Sequence, residues 1–394
     1  MDPITVYIHF PWCLKKCPYC DFVSFAKARD AIDHRGYADA VLAELERRAA
    51  ALHGRELRSV FFGGGTPSLW EPTELGRVLT AVVAAAGRVA DDLEITAECN
   101  PTSLDEGRAR ALLAAGVNRL SVGVQGLDAE RLRFLGRLHD PDGGLAALGA
   151  AIRAGAPRVS GDLIYGVATG AAERPVEQAA EDAAAEARAV VRTGVGHVSA
   201  YNLTIEPGTQ FGELARRGRL PLAGEDAGAD AFLAVEAALE EEGFVHYEIS
   251  NYARPGEESR HNLGYWTGLD YLGLGCGAVG TLSVGGGEAA RYRNQKTPDR
   301  YMAAARGGGV LEESEERLDP ETRLRERIML GLRVRGGLDL DEAAAALGVR
   351  AWTDARRRAA EREARAGRLE IEGGRVRIPS RAWLHADGIA AALF

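Results

Sequence analysis

Three of the chain's five cysteines fall within eight residues, as Cys13-Leu14-Lys15-Lys16-Cys17-Pro18-Tyr19-Cys20, directly after a short apolar run that ends at Phe10. Three thiols on one loop point to a metal centre. A structural zinc site takes four protein ligands, usually as two separated pairs, and neither Cys99 nor Cys276 has a cysteine near it in sequence. Iron–sulfur clusters take thiolates readily. A [4Fe–4S] cluster held by three thiolates keeps one iron open, and there a substrate or cofactor can bind the metal directly. A zinc knuckle and a loop of buried free thiols are the bland alternatives, and the rest of the chain weighs against both.

From residue 5 to about residue 203, short β-branched or aromatic runs alternate with longer helical patterns, the signature of repeated βα units and a parallel sheet. Strands are predicted over 5–9, 58–62, 93–98, 119–124, 159–164 and 197–203, with helices such as 37–52, 71–86 and 176–192 between them. The predicted fold is therefore α/β, a partial (β/α)6 barrel whose active site lies at the carboxyl ends of the strands. At 394 residues the chain has room for more. The expected division is a barrel over 1–210, an extension of it over 211–318 and a separate unit over 319–394. A formal charge of −9 argues against general affinity for nucleic acid or anionic membranes. No apolar run approaches the roughly 18 residues that span a bilayer, and residues 1–10 lack the pattern of a signal peptide. A cytoplasmic protein is expected, and an odd number of cysteines agrees with a reducing compartment.

The strand ends are polar and rich in glycine. After the second strand comes Gly63-Gly64-Gly65-Thr66-Pro67, where missing β-carbons let the backbone approach a ligand and offer it N–H groups. It lacks the Gly-Lys-Ser/Thr ending of a P-loop. The third strand ends in Glu98-Cys99-Asn100-Pro101, with Glu98 on the polar face of the alternation and a helix cap as its plain reading. The fourth runs into Gln125, followed by a predicted helix that carries Arg137 and His139. The fifth holds Asp162, an acid in an apolar strand that needs a partner or a ligand to offset its desolvation.

Taken together, these stations resemble the radical S-adenosylmethionine (SAM) superfamily, and within it the oxygen-independent coproporphyrinogen III oxidase family with its heme-chaperone branch, HemW. The likeness runs nearly end to end, through Tyr7-Ile8-His9-Phe10-Pro11-Trp12-Cys13, Phe62 to Pro67, Glu98 to Pro101, Arg119 to Gln125 followed by Leu135-Gly136-Arg137, and Asp162 to Gly166, where that family places its SAM-contacting segments. It implies that Cys13, Cys17 and Cys20 hold a [4Fe–4S] cluster whose open iron is chelated by SAM. Tyr7, Gly64, Gly65, Thr66 and Glu98 would hold that SAM, and a change in the glycine turn would weaken SAM with the cluster left intact. Gln125, Arg137 and Asp162 stand where the coproporphyrinogen enzymes contact a second SAM, and whether one binds here is left open.

Two features favour the heme-chaperone branch. The oxidases carry a fourth cysteine where this chain has Phe22, and His261-Asn262-Leu263-Gly264-Tyr265-Trp266 matches the HN-x-x-YW motif associated with heme binding. The resemblance makes His261 a heme ligand, with Asn262, Tyr265 and Trp266 around the porphyrin, and a separable one because it lies so far from the cysteines in sequence. A histidine beside aromatics is otherwise more often a core residue. Implied partners are heme-accepting proteins and an electron donor for the cluster; a homodimer and peripheral membrane contact during delivery are left open. Coproporphyrinogen III oxidation and radical methyl transfer with two SAM molecules are the competing activities.

Some positions depart from the family. Val167-Ala168-Thr169-Gly170 replaces the usual Leu-Pro sequence, and Val279 stands where HemW-like proteins carry histidine. Cys276 reads as a buried small residue. Tyr201 to Thr209 and Tyr247 to Tyr252 are expected to close one side of the cavity. From Asp319 the pattern of helices followed by a hairpin around Glu372-Gly373-Gly374 suggests a winged helix. Its Arg356-Arg357-Arg358, interleaved with Glu361 and Glu363, reads as a solvated face.

Overall fold

The computed structural model describes residues 2–394. Its centre is a run of six parallel strands, β1 (Pro3–Phe10), β2 (Glu56–Gly64), β3 (Val89–Cys99), β4 (Arg119–Gln125), β5 (Arg158–Tyr165) and β6 (His197–Asn202), neighbours in that order. Each is largely buried on both faces, apolar toward the helices and with polar residues such as Thr5, Ser59, Thr96, Ser121 and Ser160 on the inner side. Helices such as α1 (His34–Arg48), α2 (Pro72–Ala86) and α3 (Pro141–Arg153) make the crossovers. The fold is a partial (β/α)6 barrel.

The same sheet continues on both sides. Beyond β6 lie β7 (Val245–Glu248) and β8 (Asn251–Ala253), the latter antiparallel to β6. Beyond β1 come β9 (Asp270–Leu274), parallel to it, and the antiparallel β10 (Val279–Gly285), β11 (Glu288–Asn294) and β12 (Glu312–Leu318). The helix α4 (Arg260–Trp266) sits against β1, β2 and β9. Ser259 caps it, and Glu94 of β3 accepts from the N–H groups of Arg260 and His261 at 3.1 and 3.0 Å while pairing with Arg158 at 2.5 Å.

The C-terminal residues form α5 (Pro320–Gly331), α6 (Leu340–Leu347), α7 (Asp354–Arg365) and α8 (Ala386–Ala392) around a three-stranded sheet of Leu338–Asp339, Arg375–Arg377 and Glu370–Glu372. Helix α5 packs on β11 and α4, and the backbone is stitched to β7 by Arg335 N–H to the Tyr247 carbonyl at 2.9 Å. Among the described residues no helix is long and apolar enough to cross a membrane.

Three expectations change. Residues 176–177 are not helical: Arg174–Glu177 pairs with Ala168–Ala171 in a hairpin, so that helix begins at Ala180. Arg137 and His139 lie in a loop, because the preceding helix Ala129–Phe134 ends at Gly136, whose φ of 73° lets Arg137 N–H turn back onto the Leu132 carbonyl. Arg356 is buried at 1 % exposure, where its guanidinium donates to the carbonyls of Leu393, Ala351 and Arg350 and pairs with Glu321 at 2.7 Å. A buried guanidinium sitting over free chain-end carbonyls is a pattern no charge count reveals.

Candidate cluster and cofactor site

The cysteine loop leaves β1 at Phe10 and is closed at its neck by a short parallel pairing of Trp12–Cys13 with Phe25–Ala26, so its eleven intervening residues project as one unit. Cys13, Cys17 and Cys20 are half-buried, in no disulfide, and face a single cavity of about 570 Å³. Each thiol has a polar neighbour: Thr66 Oγ1 donates to Cys13 Sγ at 3.3 Å, Arg137 Nη1 to Cys17 Sγ at 3.7 Å, and Ser24 Oγ lies 3.8 Å from Cys20 Sγ. Burial pushes Cys13 up to about 11 and raises Cys20 as well, so both stay protonated until a metal displaces the proton. Among the described residues no three His, Cys, Asp or Glu side chains converge closely enough to share one ion. A cluster does not ask for that, since each thiolate binds a different iron.

The glycine turn is built into the same loop. Gly65 N–H donates to the Phe10 carbonyl at 2.7 Å and Thr66 N–H to that of Trp12 at 2.9 Å. A β-carbon on Gly65 would stand 2.7 Å from the Trp12 carbonyl, and one on Gly64, whose φ is 106°, would strike the His9 ring. The turn and the cysteine loop therefore pack as one unit, so a bulky change in the turn is expected to reach the cluster loop as well.

The strand ends bring the remaining polar groups to the cavity. Tyr7, held by His9 Nδ1 at 3.0 Å, lines it from β1. Glu98 accepts from Gly64 N–H at 3.1 Å; it does not cap a helix. Burial, and then the charge of Asp162, push Glu98 up to about 7 against that hydrogen bond. Asp162 is held by the hydroxyls of Ser199, Ser121 and Ser160 at 2.7, 2.9 and 3.1 Å, not by an arginine, and burial raises it too. Gln125, at φ 69°, is the one non-glycine residue with positive φ among the described residues, and its strain lies on the cavity wall. Arg137 donates to the Gly123 carbonyl at 2.7 Å, while its Nε–H is buried without a partner. Two raised acids call for a cation, and an unpaired guanidinium N–H calls for an acceptor. The ammonium, sulfonium and carboxylate of SAM supply both, so these residues fit it.

The motif His261 to Trp266 divides between two cavities. His261, Asn262 and Tyr265 line the first, and Trp266 does not; Tyr265 and Trp266 line a second on the other side of Tyr7. His261 is 1 % exposed, stacked on Phe61 at 4.9 Å, with Nδ1 on Ser59 Oγ at 2.8 Å and Nε2 on the Tyr265 hydroxyl at 3.0 Å. Burial holds it near 3, neutral throughout the physiological range. Binding iron would cost it one of those hydrogen bonds.

The sequence reading placed Arg119 at the head of a family-matched segment but gave it no role of its own; it opens β4 on the cavity wall at 3 % exposure with no hydrogen bond or ion pair from its side chain among the described residues. A lone arginine heading an apolar strand was its only signal. The sequence reading missed the serine cradle of Asp162, since Ser121, Ser160 and Ser199 come from three strands. Tyr201, Asn202, Leu203, Thr204 and Glu206 do wall the cavity. The segment around Tyr247 does not: it lies at the far edge of the sheet.

The Radical SAM superfamily model matches residues 7–183 and the HemN C-terminal domain model residues 318–385. The chain is 36 % identical over 393 residues to the heme chaperone HemW of Mycobacterium tuberculosis, covering 100 % of this chain and 95 % of that protein. It belongs to the HemW family. The heme chaperone HemW of Escherichia coli is 38 % identical over 77 % of this chain and 76 % of its own. The solved coproporphyrinogen III oxidase (HemN) of Escherichia coli has the same fold, with a TM-score of 0.82 at 22 % identity, over 100 % of this chain and 90 % of that one. A radical SAM member of the HemW family is implied to carry a [4Fe–4S] cluster and SAM.

Proposed function

We propose that the protein is a heme chaperone, which binds heme and passes it to acceptor proteins, and that it does so as a radical SAM protein. Cys13, Cys17 and Cys20 hold the cluster; Tyr7, Gly64, Gly65, Thr66 and Glu98 hold SAM; Gln125, Arg137 and Asp162 line the space where a second SAM would lie. When bound, the cluster supplies the electron that cleaves the sulfonium of SAM, drawn from an electron-donor protein. The chain's own contribution is to exclude water at the base of the cavity, to set Glu98 against the cationic end of SAM and to position Arg137 beside Cys17.

The observation that carries the reading is the placement of the heme-associated motif on a helix that borders the cluster cavity, in a chain with the exposed Phe22 where the oxidases have a fourth cysteine. Tyr265 and Trp266 contact the heme, Asn262 faces the SAM side, and His261 positions Tyr265. The test is anaerobic reconstitution with iron and sulfide, followed by two assays. Protein loaded with heme should transfer it to an apo heme protein, and Cys17→Ala should lose iron and sulfide together. Catalytic conversion of coproporphyrinogen III to protoporphyrinogen would overturn the assignment, and one zinc per chain without sulfide would overturn the cluster.

A further inference from the structure

The second cavity, of about 610 Å³, lies between β9, β10 and β11 on one side and helix α5 on the other, and it is separated from the cluster cavity by Tyr7, Tyr265, Asp21 and Phe22, which line both. That volume is within the range of about 300–1,000 Å³ typical of ligand sites. Its apolar lining is aromatic and flexible: Phe22, Tyr265, Trp266, Tyr271, Val279 and Met329. Four arginines face it, and they are not equivalent. Arg291 is neutralised by a two-pronged pair with Glu326 at 2.7 and 2.8 Å. Arg323 is used up on the carbonyls of Gly287 and Glu288 and the hydroxyl of Ser283, with Asp270 at 3.8 Å.

Arg293 and Arg327 are left over. Arg293 is exposed, and its guanidinium has no hydrogen bond or ion pair among the described residues; that of Arg327 has only the Gly268 carbonyl at 3.4 Å. Arg327 is half-buried, and burial together with the charge of Arg323 disfavours its cation more than the carboxylates of Asp270 and Glu342 favour it. The indole N–H of Trp266 is buried in the same wall without a partner. An exposed arginine free of partners, a half-buried one short of hydrogen bonds and an orphaned donor around an apolar slot describe a ligand that is flat and apolar with carboxylates at its edge. The first cavity, by contrast, is lined by the buried acids Glu98 and Asp162 as well as by Arg119 and Arg137. Among the described residues, the one acid lining the second cavity without a hydrogen bond or ion pair is the exposed Asp21 at the common rim.

We infer that the second cavity is the heme site, with Arg293 and Arg327 binding the two propionates and Trp266 donating to one of them. The inference rests on the chaperone reading and adds the place and the carboxylate-binding residues. Bidentate guanidinium pairs with carboxylates give planar, oriented recognition, which fixes which edge of the porphyrin points out of the cavity. Val279 lies in this wall and belongs to its apolar part.

The test uses cluster-loaded protein and follows the Soret band during titration with hemin and, separately, with hemin dimethyl ester. In Arg293→Gln/Arg327→Gln the hemin Kd should rise about tenfold per arginine, a loss of about 1.4 kcal/mol each. The ester should bind weakly to the parent and no more weakly to the variant, and SAM affinity should not change. A second variant, Val279→Phe, fills the slot without touching charge and should weaken both ligands. Arg325→Gln, on the outer face of α5, should bind like the parent. Hemin affinity within twofold of the parent in both cavity variants overturns the inference and leaves the chaperone reading standing. A parent protein that binds no hemin overturns the reading itself.

Discussion

Replacing Glu98 by glutamine separates what the cavity costs the fold from what it gives the ligand. The folded protein holds the Glu98 proton up to about pH 7, against an ordinary value of 4.5, because burial and Asp162 disfavour the anion. A group that binds its proton more tightly when folded adds stability at low pH, and that stability is lost as pH rises from 4.5 through 7. Two and a half pH units correspond to about 3 kcal/mol, all of it exacted by pH 8. Glutamine keeps an acceptor for Gly64 N–H and carries no charge. The cluster-free variant should therefore unfold at a higher temperature than the parent at pH 8 and at the same temperature at pH 5. SAM affinity of the cluster-loaded variant at pH 8 should fall at least tenfold, the loss of one charge-assisted hydrogen bond of about 1.5–3 kcal/mol. Thermal melts at the two pH values and calorimetric titration with SAM measure both. Equal destabilisation at pH 5 and pH 8 would refute the reasoning, since it would mean that Glu98 holds the fold together through contacts its charge does not penalise.

Gly65→Ala should lower iron and sulfide content together with SAM affinity, because its β-carbon meets the Trp12 and Phe10 carbonyls at 2.7 and 2.8 Å; intact cluster content with weakened SAM would separate the turn from the loop after all. His261→Ala should destabilise the protein by about 2–4 kcal/mol, the cost of emptying a buried hydrogen-bonded site, without moving the Soret maximum of bound heme; a moved maximum would make the imidazole an iron ligand. Arg356→Ala should cost about 3–5 kcal/mol by leaving Glu321 and three carbonyls unpaired, with urea unfolding of the C-terminal helices preceding that of the barrel and cluster content preserved.

The six parallel strands were legible because each is a mainly apolar run bounded by turn residues and buried on both faces. The cysteine loop and the glycine turn were legible for a different reason, since their spacing is chemistry written in consecutive residues. Strands β7 to β12 were not foreseen as one continuous sheet with the barrel. Their pairing depends on which edge each hairpin reaches: β9 lies beside β1 across 260 residues of sequence, and no local pattern encodes that. Arg356 was misread, and Arg119 given no role, for the same cause. A charged residue is assigned to solvent by default, and only the fold shows which carbonyls or cavity it meets.

The expectation that heme and cluster defects would separate at His261 rests on distance along the chain, and the fold brings that residue to the wall of the cluster cavity. The helix Arg260–Trp266 packs between β1 and β2, so His261 stacks on Phe61 one strand away from Tyr7, and Tyr265 reaches both cavities. A change anywhere in Tyr7, His261 or Tyr265 moves a common wall, and it should disturb SAM and heme together. Separable defects belong instead to residues that line one cavity alone, such as Glu98 and Arg137 on the cluster side and Arg327 and Val279 on the other. The shared wall has a mechanistic corollary: a ligand that orders Tyr7 and Tyr265 from one side lowers the cost of ordering them from the other. SAM should therefore tighten hemin binding and hemin should tighten SAM by the same factor. Titrating each ligand with and without a saturating amount of the other measures that factor, and a value of one would mean the two cavities are neighbours without being coupled.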